Sequence, residues 1–297
     1  IEAKGIQSVK VIDSKPIGAN VRSTVATYDG VFDDLRKLFA RTADAKAKGL
    51  TAGDFSYNTG KLRCPVCDGT GIITMDVQFL PDVDTICPSC GGSRYGKDAY
   101  DILWKSKEKD SVSVSLPGLL KLTVEEAAGI LHEETKIAKQ LKILQDLGVC
   151  YLTLGEATPA LSGGEAQRLK LAYEMETPQQ GSVFVFDEPT IGLHPQDVKK
   201  LVLIFDHLIQ LGATVIVIEH DLELVTNCDY IIDMGPWGGT EGGRVVVEGT
   251  PEAVAATSES ITGRYLKQEL AEDKKCSGKF RKKSFAVKHI FRKYQKI

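Results

Sequence analysis

The 297-residue sequence lacks a phosphate-binding loop of the form G-x-x-x-x-G-K-[ST]. The nearest candidate is the stretch GDFSYNTGKL at 53–62. Its glycine spacing is wrong, and a leucine stands where a hydroxyl is needed to bind Mg²⁺. The sequence therefore excludes a nucleotide site of this type that the chain could complete by itself.

Long apolar runs are also absent. No stretch of about 18 apolar residues occurs, so no transmembrane helix and no membrane partner are expected. The opening residues IEAKGIQSVKVID lack both an initiating Met and the apolar core of a signal peptide, as in a fragment or a processed chain. The seven Cys form two close pairs and three single residues, which favours a metal site over a disulfide framework. We therefore expect a cytoplasmic protein.

Basic residues are scarce outside the C-terminus. Residues 274–297 hold ten Lys and Arg and no acid, which leaves 27 bases against 40 acids in 1–273. An acidic body of net charge −13 does not bind nucleic acid non-specifically, so any such binding needs a local patch. The basic tail 271–297 is interpreted as a solvated extension, with a nucleic-acid-binding arm as the alternative.

The hydrophobic patterns predict an α/β protein. The alternating segment 6–13 is typical of a strand, and 182–189 and 213–220 are apolar, β-branched runs typical of buried parallel strands. Between them lies an amphipathic helix that ends at Gly212, so the unit is β-α-β. Residues 123–149 indicate two helices, the first opened by a capping box of Thr123 and Glu126.

Four cysteines predict a structural zinc site. They follow the pattern C-x2-C-x19-C-x2-C, which is within the range of Cys₄ zinc sites: Cys64, Cys67, Cys87 and Cys90. The glycines behind each pair allow the chain to fold back: Gly69, Gly71, Gly91 and Gly92. Each C-x2-C pair with its following glycines is called a knuckle. Four basic residues beside the two knuckles could contact DNA phosphates, although the zinc module could also serve only its own stability: Lys61, Arg63, Arg94 and Lys97.

Three separate segments suggest half of a nucleotide site. Asp187 follows a buried strand and could hold Mg²⁺, while Glu188 could polarise a water that attacks a γ-phosphate. His220 follows the next predicted strand and could contact that phosphate. In LSGGEAQ, Ser162 can cap a helix whose N-terminal N–H groups face an anion. Each segment alone could be structural, but their order and spacing make chance a poor explanation.

Read together, the motifs LSGGEAQRLKLA, FDEPTIGLHP, VIEHDLELV and DYIIDMGP resemble those of ATP-binding-cassette ATPases, and most closely those of the UvrA family, the damage-recognising excinuclease ATPases of bacterial nucleotide excision repair. The resemblance covers roughly residues 6–270. It includes KPIGANVRSTVATYDGVFDDLRKLFA, CPVCDGTG, VQFLPDV and CPSCGGSRYG, and it points to the C-terminal cassette of the family.

The resemblance implies a role for each matched residue. Asp187 would be the Walker B aspartate, Glu188 the catalytic glutamate and His220 the switch histidine. The signature that closes on ATP and Mg²⁺ held by another cassette would comprise Ser162, Gly163, Gly164, Glu165 and Gln167. The implied partners are double-stranded DNA, a second cassette of this type or a second copy of the chain, and downstream excision-repair proteins.

The segment DSKPIGANVRS departs from the family pattern DQxPIGRTPRS. Ser14 stands at the Q-loop glutamine, and Ala19 stands at an arginine. This wording resembles shorter UvrA-like paralogues, some of them associated with antibiotic self-protection. A drug-resistance ATPase that removes a drug from DNA is therefore the alternative to excision repair, and a non-catalytic zinc-bearing interaction module is a third hypothesis.

The expected fold is α/β: an ABC-type P-loop NTPase core with a parallel sheet that lacks its Walker A portion, a helical signature subdomain and an inserted Cys₄ zinc module. The predicted segments are 1–60 for the Q-loop-like start, 61–100 for the zinc module, 101–160 for the helical signature subdomain, 161–270 for the ATPase core and 271–297 for the basic tail.

Overall fold

The computed structural model describes residues 5–18, 20–75, 83–107, 112–175, 179–235, 243–276 and 287–291. Ala19, most of the VQFLPDV segment and most of the basic tail lie outside these residues. The chain forms two compact units, residues 1–15 with 174–297 (unit 1) and residues 16–173 (unit 2). Unit 2 contains the predicted zinc module and the predicted helical segment 101–160 together.

Unit 1 is built on a six-stranded sheet with the order β1-β6-β7-β10-β8-β9. Its strands are β1 (Ser8–Ile12), β6 (Ser182–Asp187), β7 (Thr214–Ile218), β8 (Tyr230–Met234), β9 (Val245–Gly249) and β10 (Val287–Phe291). All neighbours are parallel except β8 and β9, which are antiparallel. The predicted α/β class with a parallel sheet is confirmed.

Helices follow the strands of unit 1: α8 (Pro195–Gln210), α9 (Leu222–Thr226), α10 (Pro251–Ala256) and α11 (Ile261–Cys276). Period-2 alternation buries Phe184 and Phe186 on one face of β6. The ring of Phe205 on α8 packs 4.6 Å from that of Phe186. The predicted β-α-β unit is therefore present, and it closes with a turn at Gly212, whose φ of 90° suits glycine.

The strand β10 was not predicted. The basic tail was interpreted as solvated, but Val287–Phe291 lies within the sheet, parallel to β7 on one side and to β8 on the other. Its sequence, VKHIF, is short and lacks a clean alternation of apolar and polar residues, so it does not stand out in a tail dominated by charge. The interpretation as a wholly solvated extension is therefore wrong for these five residues.

Unit 2 combines helices with two small hairpins. Its helices are α1 (Val25–Tyr28), α2 (Val31–Ala40), α3 (Ala43–Ala47), α4 (Leu116–Leu120), α5 (Val124–Ile130), α6 (Thr135–Asp146) and most of α7 (Gly163–Met175). Its strands are β2 (Ile72–Met75) paired with β3 (Val83–Ile86), and β4 (Leu103–Lys105) paired with β5 (Ser113–Ser115). Short 3₁₀ turns occur at Lys97–Ala99 and Thr158–Ala160.

An aromatic cluster forms part of the core of unit 2. Tyr57 is fully buried, with its ring 4.8 Å from that of Phe32 and 6.0 Å from that of Tyr95. Both tyrosine hydroxyls are satisfied, since Tyr57 donates to the Arg22 carbonyl and Tyr95 to the Phe55 carbonyl. Tyr57 precedes the first cysteine pair and Tyr95 follows the second, so these two residues flank the metal module in sequence.

A local sequence signal accounts for the start of α5. The predicted capping box is confirmed, because the Thr123 hydroxyl accepts from the Glu126 N–H while Glu126 accepts from the Thr123 N–H. The predicted pair of helices within 123–149 is also present as α5 and α6. Among the described residues, no helix is both long and apolar enough to cross a bilayer.

Candidate nucleotide site and metal centre

The carboxyl ends of three neighbouring parallel strands meet at one edge of the sheet in unit 1. Asp187 ends β6, Ser14 follows β1 by two residues, and His220 follows β7 by two residues. The register pairs Ile12 with Phe186 and Asp187 with Ile218, so these strands end level with one another. Because ligands of open α/β sheets bind outside the carboxyl ends, this edge is the candidate nucleotide site.

Glu188 adopts a backbone conformation that non-glycine residues rarely use. Its φ is +48°, in the left-handed region, and only Asp68 and Arg94 share this property among the other described non-glycine residues. The Glu188 N–H donates to the Ile218 carbonyl at 2.9 Å, which fixes the turn against β7. Such conformations cost free energy and concentrate at functional sites, so this geometry supports a role for the Glu188 carboxylate.

Sequence analysis missed Glu219, which lies between β7 and His220. The residue is only 1% exposed. One carboxylate oxygen accepts from the N–H and hydroxyl of Thr190, and the other accepts from the N–H groups of His220 and Asp221. An acid inside an apolar run was the available signal, because acids are rarely buried unless their oxygens are bonded.

The candidate signature residues open α7 in unit 2. The Glu165 carboxylate accepts from the Ser162 N–H at 2.7 Å, and the Ser162 hydroxyl accepts from the Glu165 N–H at 3.4 Å. Ser162 is exposed, as a contact surface would require, whereas Gln167 is buried within the unit. Gly163 and Gly164 form the first turn of the helix, where N–H groups have no partner within the helix.

Tyr151 supports the same turn from outside the motif. Its hydroxyl donates to the second oxygen of Glu165 at 2.7 Å. Burial opposes ionisation, but the bonds from Tyr151 and Ser162 outweigh it and hold the pKa of Glu165 below its usual value. Burial and the facing carboxylate raise the pKa of Tyr151. Glu165, at the candidate signature turn, is therefore held in place as an anion.

The four predicted metal ligands lie together in unit 2, with all four sulfurs within 4.8 Å of one another. The Sγ atoms of Cys64 and Cys87 are 4.0 Å apart, and those of Cys67 and Cys90 are 3.7 Å apart. Tetrahedral zinc with Zn–S bonds of about 2.3 Å places its sulfurs about 3.8 Å apart. The four cysteines are free thiols, so the alternative of two disulfides is not realised and the donor set fits zinc.

The backbone of the first cysteine pair favours a thiolate at Cys64, whereas burial and the neighbouring sulfurs of Cys87 and Cys67 raise the pKa of Cys90 to about 12. Burial raises the pKa of Cys64, yet hydrogen bonds from the N–H groups of Cys67 and Val66 bring it to about 7. The Gly71 N–H donates to the Cys67 sulfur at 3.3 Å. The four predicted glycines all have positive φ, and a Cβ on Gly69 would lie 1.7 Å from the Tyr57 carbonyl oxygen. The prediction that glycine is needed for a close chain approach is confirmed there.

The four basic residues beside the knuckles have different environments. Lys97 is exposed, and Lys61 is exposed with a salt bridge to Asp54 at 3.4 Å. Arg63 bonds the Asn58 carbonyl and Asp68. Arg94 is only 7% exposed and donates to the Val21 carbonyl at 2.8 Å, with its guanidinium 5.1 Å from the Tyr57 ring centre.

Comparison with known proteins confirms the resemblance noted from the motifs. The chain is 45% identical over 264 residues to UvrABC system protein A of Staphylococcus aureus (strain COL), which covers 89% of this chain and 27% of that protein. It is 44% identical over 277 residues to UvrABC system protein A of Bacillus subtilis (strain 168), which covers 92% and 28%. No protein-family model matches the chain.

A solved structure shows the same fold. The crystal structure of UvrA2 from Deinococcus radiodurans superposes with a TM-score of 0.80 at 41% identity, over 90% of this chain and 32% of that one. The chain thus spans about a quarter to a third of the length of these relatives. Over that span it is a homologue of UvrABC system protein A.

Proposed function

We propose, from the homology to UvrABC system protein A, that this chain supplies part of an ABC-type ATPase that acts on DNA in nucleotide excision repair. The observation that carries the proposal is the common edge of β1, β6 and β7, where Asp187 ends one strand, and Glu188 and His220 follow strands that end in register. The homology supports the assignment of these motifs, and their position at one edge of the sheet supports a shared role in ATP hydrolysis.

In the proposed mechanism, Asp187 holds Mg²⁺ of a bound ATP and Glu188 orients the attacking water. An Mg²⁺ ion held by Asp187 would supply charge neutralisation for the phosphate groups. His220, exposed at the end of the next strand, contacts the γ-phosphate. Ser14 occupies the position after β1 from which a glutamine would reach the same ion, and its shorter side chain weakens that link.

The signature turn is proposed to serve a second cassette. Gly163 and Gly164 form the first turn of α7, where the free N–H groups and the helix dipole would favour a γ-phosphate. Glu165 caps this turn as an anion and keeps its position fixed. The partner is therefore a second cassette, from another copy of the chain or from a longer chain.

The metal centre is proposed to hold zinc and to present a DNA contact. Cys64, Cys67, Cys87 and Cys90 would hold the ion, which stabilises a module with few apolar residues. Lys61, Arg63 and Lys97 are the candidate phosphate contacts, because a side chain must reach solvent to meet DNA. The buried position of Arg94 favours a structural role for that residue.

Excision repair and drug resistance share this ATPase chemistry and differ in the DNA that stimulates it. The second candidate function is that of a UvrA-like ATPase that removes a drug from DNA. It is supported by Ser14, which stands at the Q-loop position as in the UvrA-like paralogues that the sequence resembles. The test measures ATP hydrolysis by the full-length natural chain with no DNA, with lesion-bearing DNA and with drug-intercalated DNA. Selective stimulation by the lesion supports repair, and selective stimulation by the drug complex supports resistance. A chain that neither hydrolyses ATP nor binds either DNA contradicts both.

A further inference from the structure

Two loops at the candidate nucleotide site share one buried carboxylate. The first is the turn after β6, which contains Glu188 and Thr190, and the second is the turn after β7, which contains His220 and Asp221. Thr190 donates its N–H, at 3.0 Å, and its hydroxyl to one oxygen of Glu219. The N–H groups of His220, at 2.6 Å, and of Asp221, at 3.1 Å, donate to the other oxygen.

This donor set fits a carboxylate. A carboxylate only accepts hydrogen bonds, and here both oxygens face donors. A buried charge is tolerated when its bonds are complete and is costly when they are not. Glutamine has one accepting oxygen and a donating NH₂ group, so it would leave either the Thr190 pair or the His220 and Asp221 pair facing a donor.

A second bond joins the same two strands immediately beside the carboxylate. The N–H of Glu188, in its left-handed conformation, donates to the carbonyl of Ile218, the residue before Glu219. Asp221 also caps α9, since its carboxylate accepts from the Leu224 N–H at 3.1 Å. A displacement of either loop therefore breaks bonds that the other loop needs.

We propose that Glu219 is a positioning residue that couples the loop of the candidate catalytic glutamate to the loop of the candidate switch histidine. Through it, a change at His220 is transmitted to the turn that holds Glu188. The consequence for turnover rests on the proposed ATPase function, whereas the coupling itself does not. Glu219 lies under the two loops and is not placed in contact with nucleotide.

Amide hydrogen exchange tests the coupling without requiring catalysis. In Glu219→Gln, we expect exchange to accelerate about tenfold or more at Thr190, His220 and Asp221 together, because a lost bond to a buried group has an effect of that order. Thr190→Val removes one donor and should accelerate exchange at His220 as well, while Thr190→Ser, which keeps the hydroxyl, should behave like the unaltered chain. Glu248→Gln is the control, since Glu248 is exposed on β9.

Faster exchange confined to one loop, or none in either variant, would overturn the coupling. The milder Thr190→Val decides the matter if Glu219→Gln does not fold. A parallel assay measures ATP hydrolysis by the full-length natural chain and by the same variants made in it. Glu219→Gln and Thr190→Val should lower kcat with KM nearly unchanged, whereas Thr190→Ser should keep the kcat of the unaltered chain. If the unaltered chain shows no ATP hydrolysis, the proposed function fails, while the exchange result still decides the coupling.

Discussion

The Tyr151 hydroxyl donates a 2.7 Å hydrogen bond to the Glu165 carboxylate, which in turn accepts from the Ser162 N–H. Tyr151 thus fixes a glutamate in the first turn of α7, although Tyr151 lies eleven positions before Ser162, the first residue of the candidate signature. The pKa of Glu165 is lowered by these bonds. Stability from a lowered carboxyl pKa is present above the unfolded-state value and is lost as pH falls through the folded-state value.

Tyr151→Phe should therefore lower the free energy of unfolding by about 1 kcal/mol at about pH 6, since the pair is partly solvated. The deficit should shrink at an acidic pH below the lowered pKa of Glu165, where the carboxyl group is protonated in both proteins. Urea unfolding at both pH values measures this. Tyr100→Phe is the matched control, because Tyr100 is exposed. An equal deficit at both pH values would show that the charged form of Glu165 is not what Tyr151 stabilises.

The metal centre predicts one zinc ion per chain. Cys64→Ser should abolish stoichiometric zinc and lower the thermal stability of unit 2, because metal binding supplies folding free energy. Metal analysis together with thermal unfolding, before and after chelation, measures both effects. Cys150→Ser should keep the metal, since Cys150 lies outside the four-sulfur cluster. Full zinc content in Cys64→Ser would contradict the ligand assignment.

Two glycines of the knuckles should differ sharply in their tolerance of a side chain. A Cβ at Gly69 would lie 1.7 Å from the Tyr57 carbonyl oxygen, whereas a Cβ at Gly91 would have no neighbour within 4 Å. Both have positive φ. Gly91→Ala should cost about 1 kcal/mol for backbone strain alone, and Gly69→Ala should cost roughly 3 kcal/mol or more. Similar unfolding midpoints for the two variants would refute the close approach.

The basic residues of the metal module should separate into two groups. Lys97→Ala should weaken DNA binding and reduce the slope of log affinity against log salt by about 1, because one phosphate contact is lost. Arg94→Ala should instead lower stability by about 2 kcal/mol, through the lost bond to Val21 and the lost contact with Tyr57. Fluorescence anisotropy across a salt series measures the DNA affinity and its salt slope for each variant. Lys105→Ala is the control, because Lys105 is exposed. An unchanged slope in Lys97→Ala would remove that residue from the interface.

Much of the fold followed from local signals. Unbroken β-branched runs predicted β6 and β7, and the Thr123 and Glu126 box predicted the start of α5, because both signals depend on neighbours in sequence. The Cys spacing predicted the metal cluster for the same reason. What sequence analysis missed depends on contacts between distant segments: Arg94 and the Val21 carbonyl that it bonds are 73 positions apart in sequence, and Glu219 and Thr190 are 29 apart.

The strand β10 illustrates the same limit. Its residues sit in a basic tail whose composition favours solvent, and only the pairing with β7 and β8 reveals a strand. Sheet order depends on which strands are available as neighbours. Such information is not contained in the five residues themselves.

The central claim is that Glu188 activates water for ATP hydrolysis at the edge of the sheet in unit 1. The most direct measurement compares DNA-stimulated ATP hydrolysis by the full-length natural chain with that of Glu188→Gln, together with nucleotide binding. We predict a loss of at least about a hundredfold in kcat with ATP binding retained. Equal rates in the two proteins, or no hydrolysis by the unaltered chain, would contradict the account.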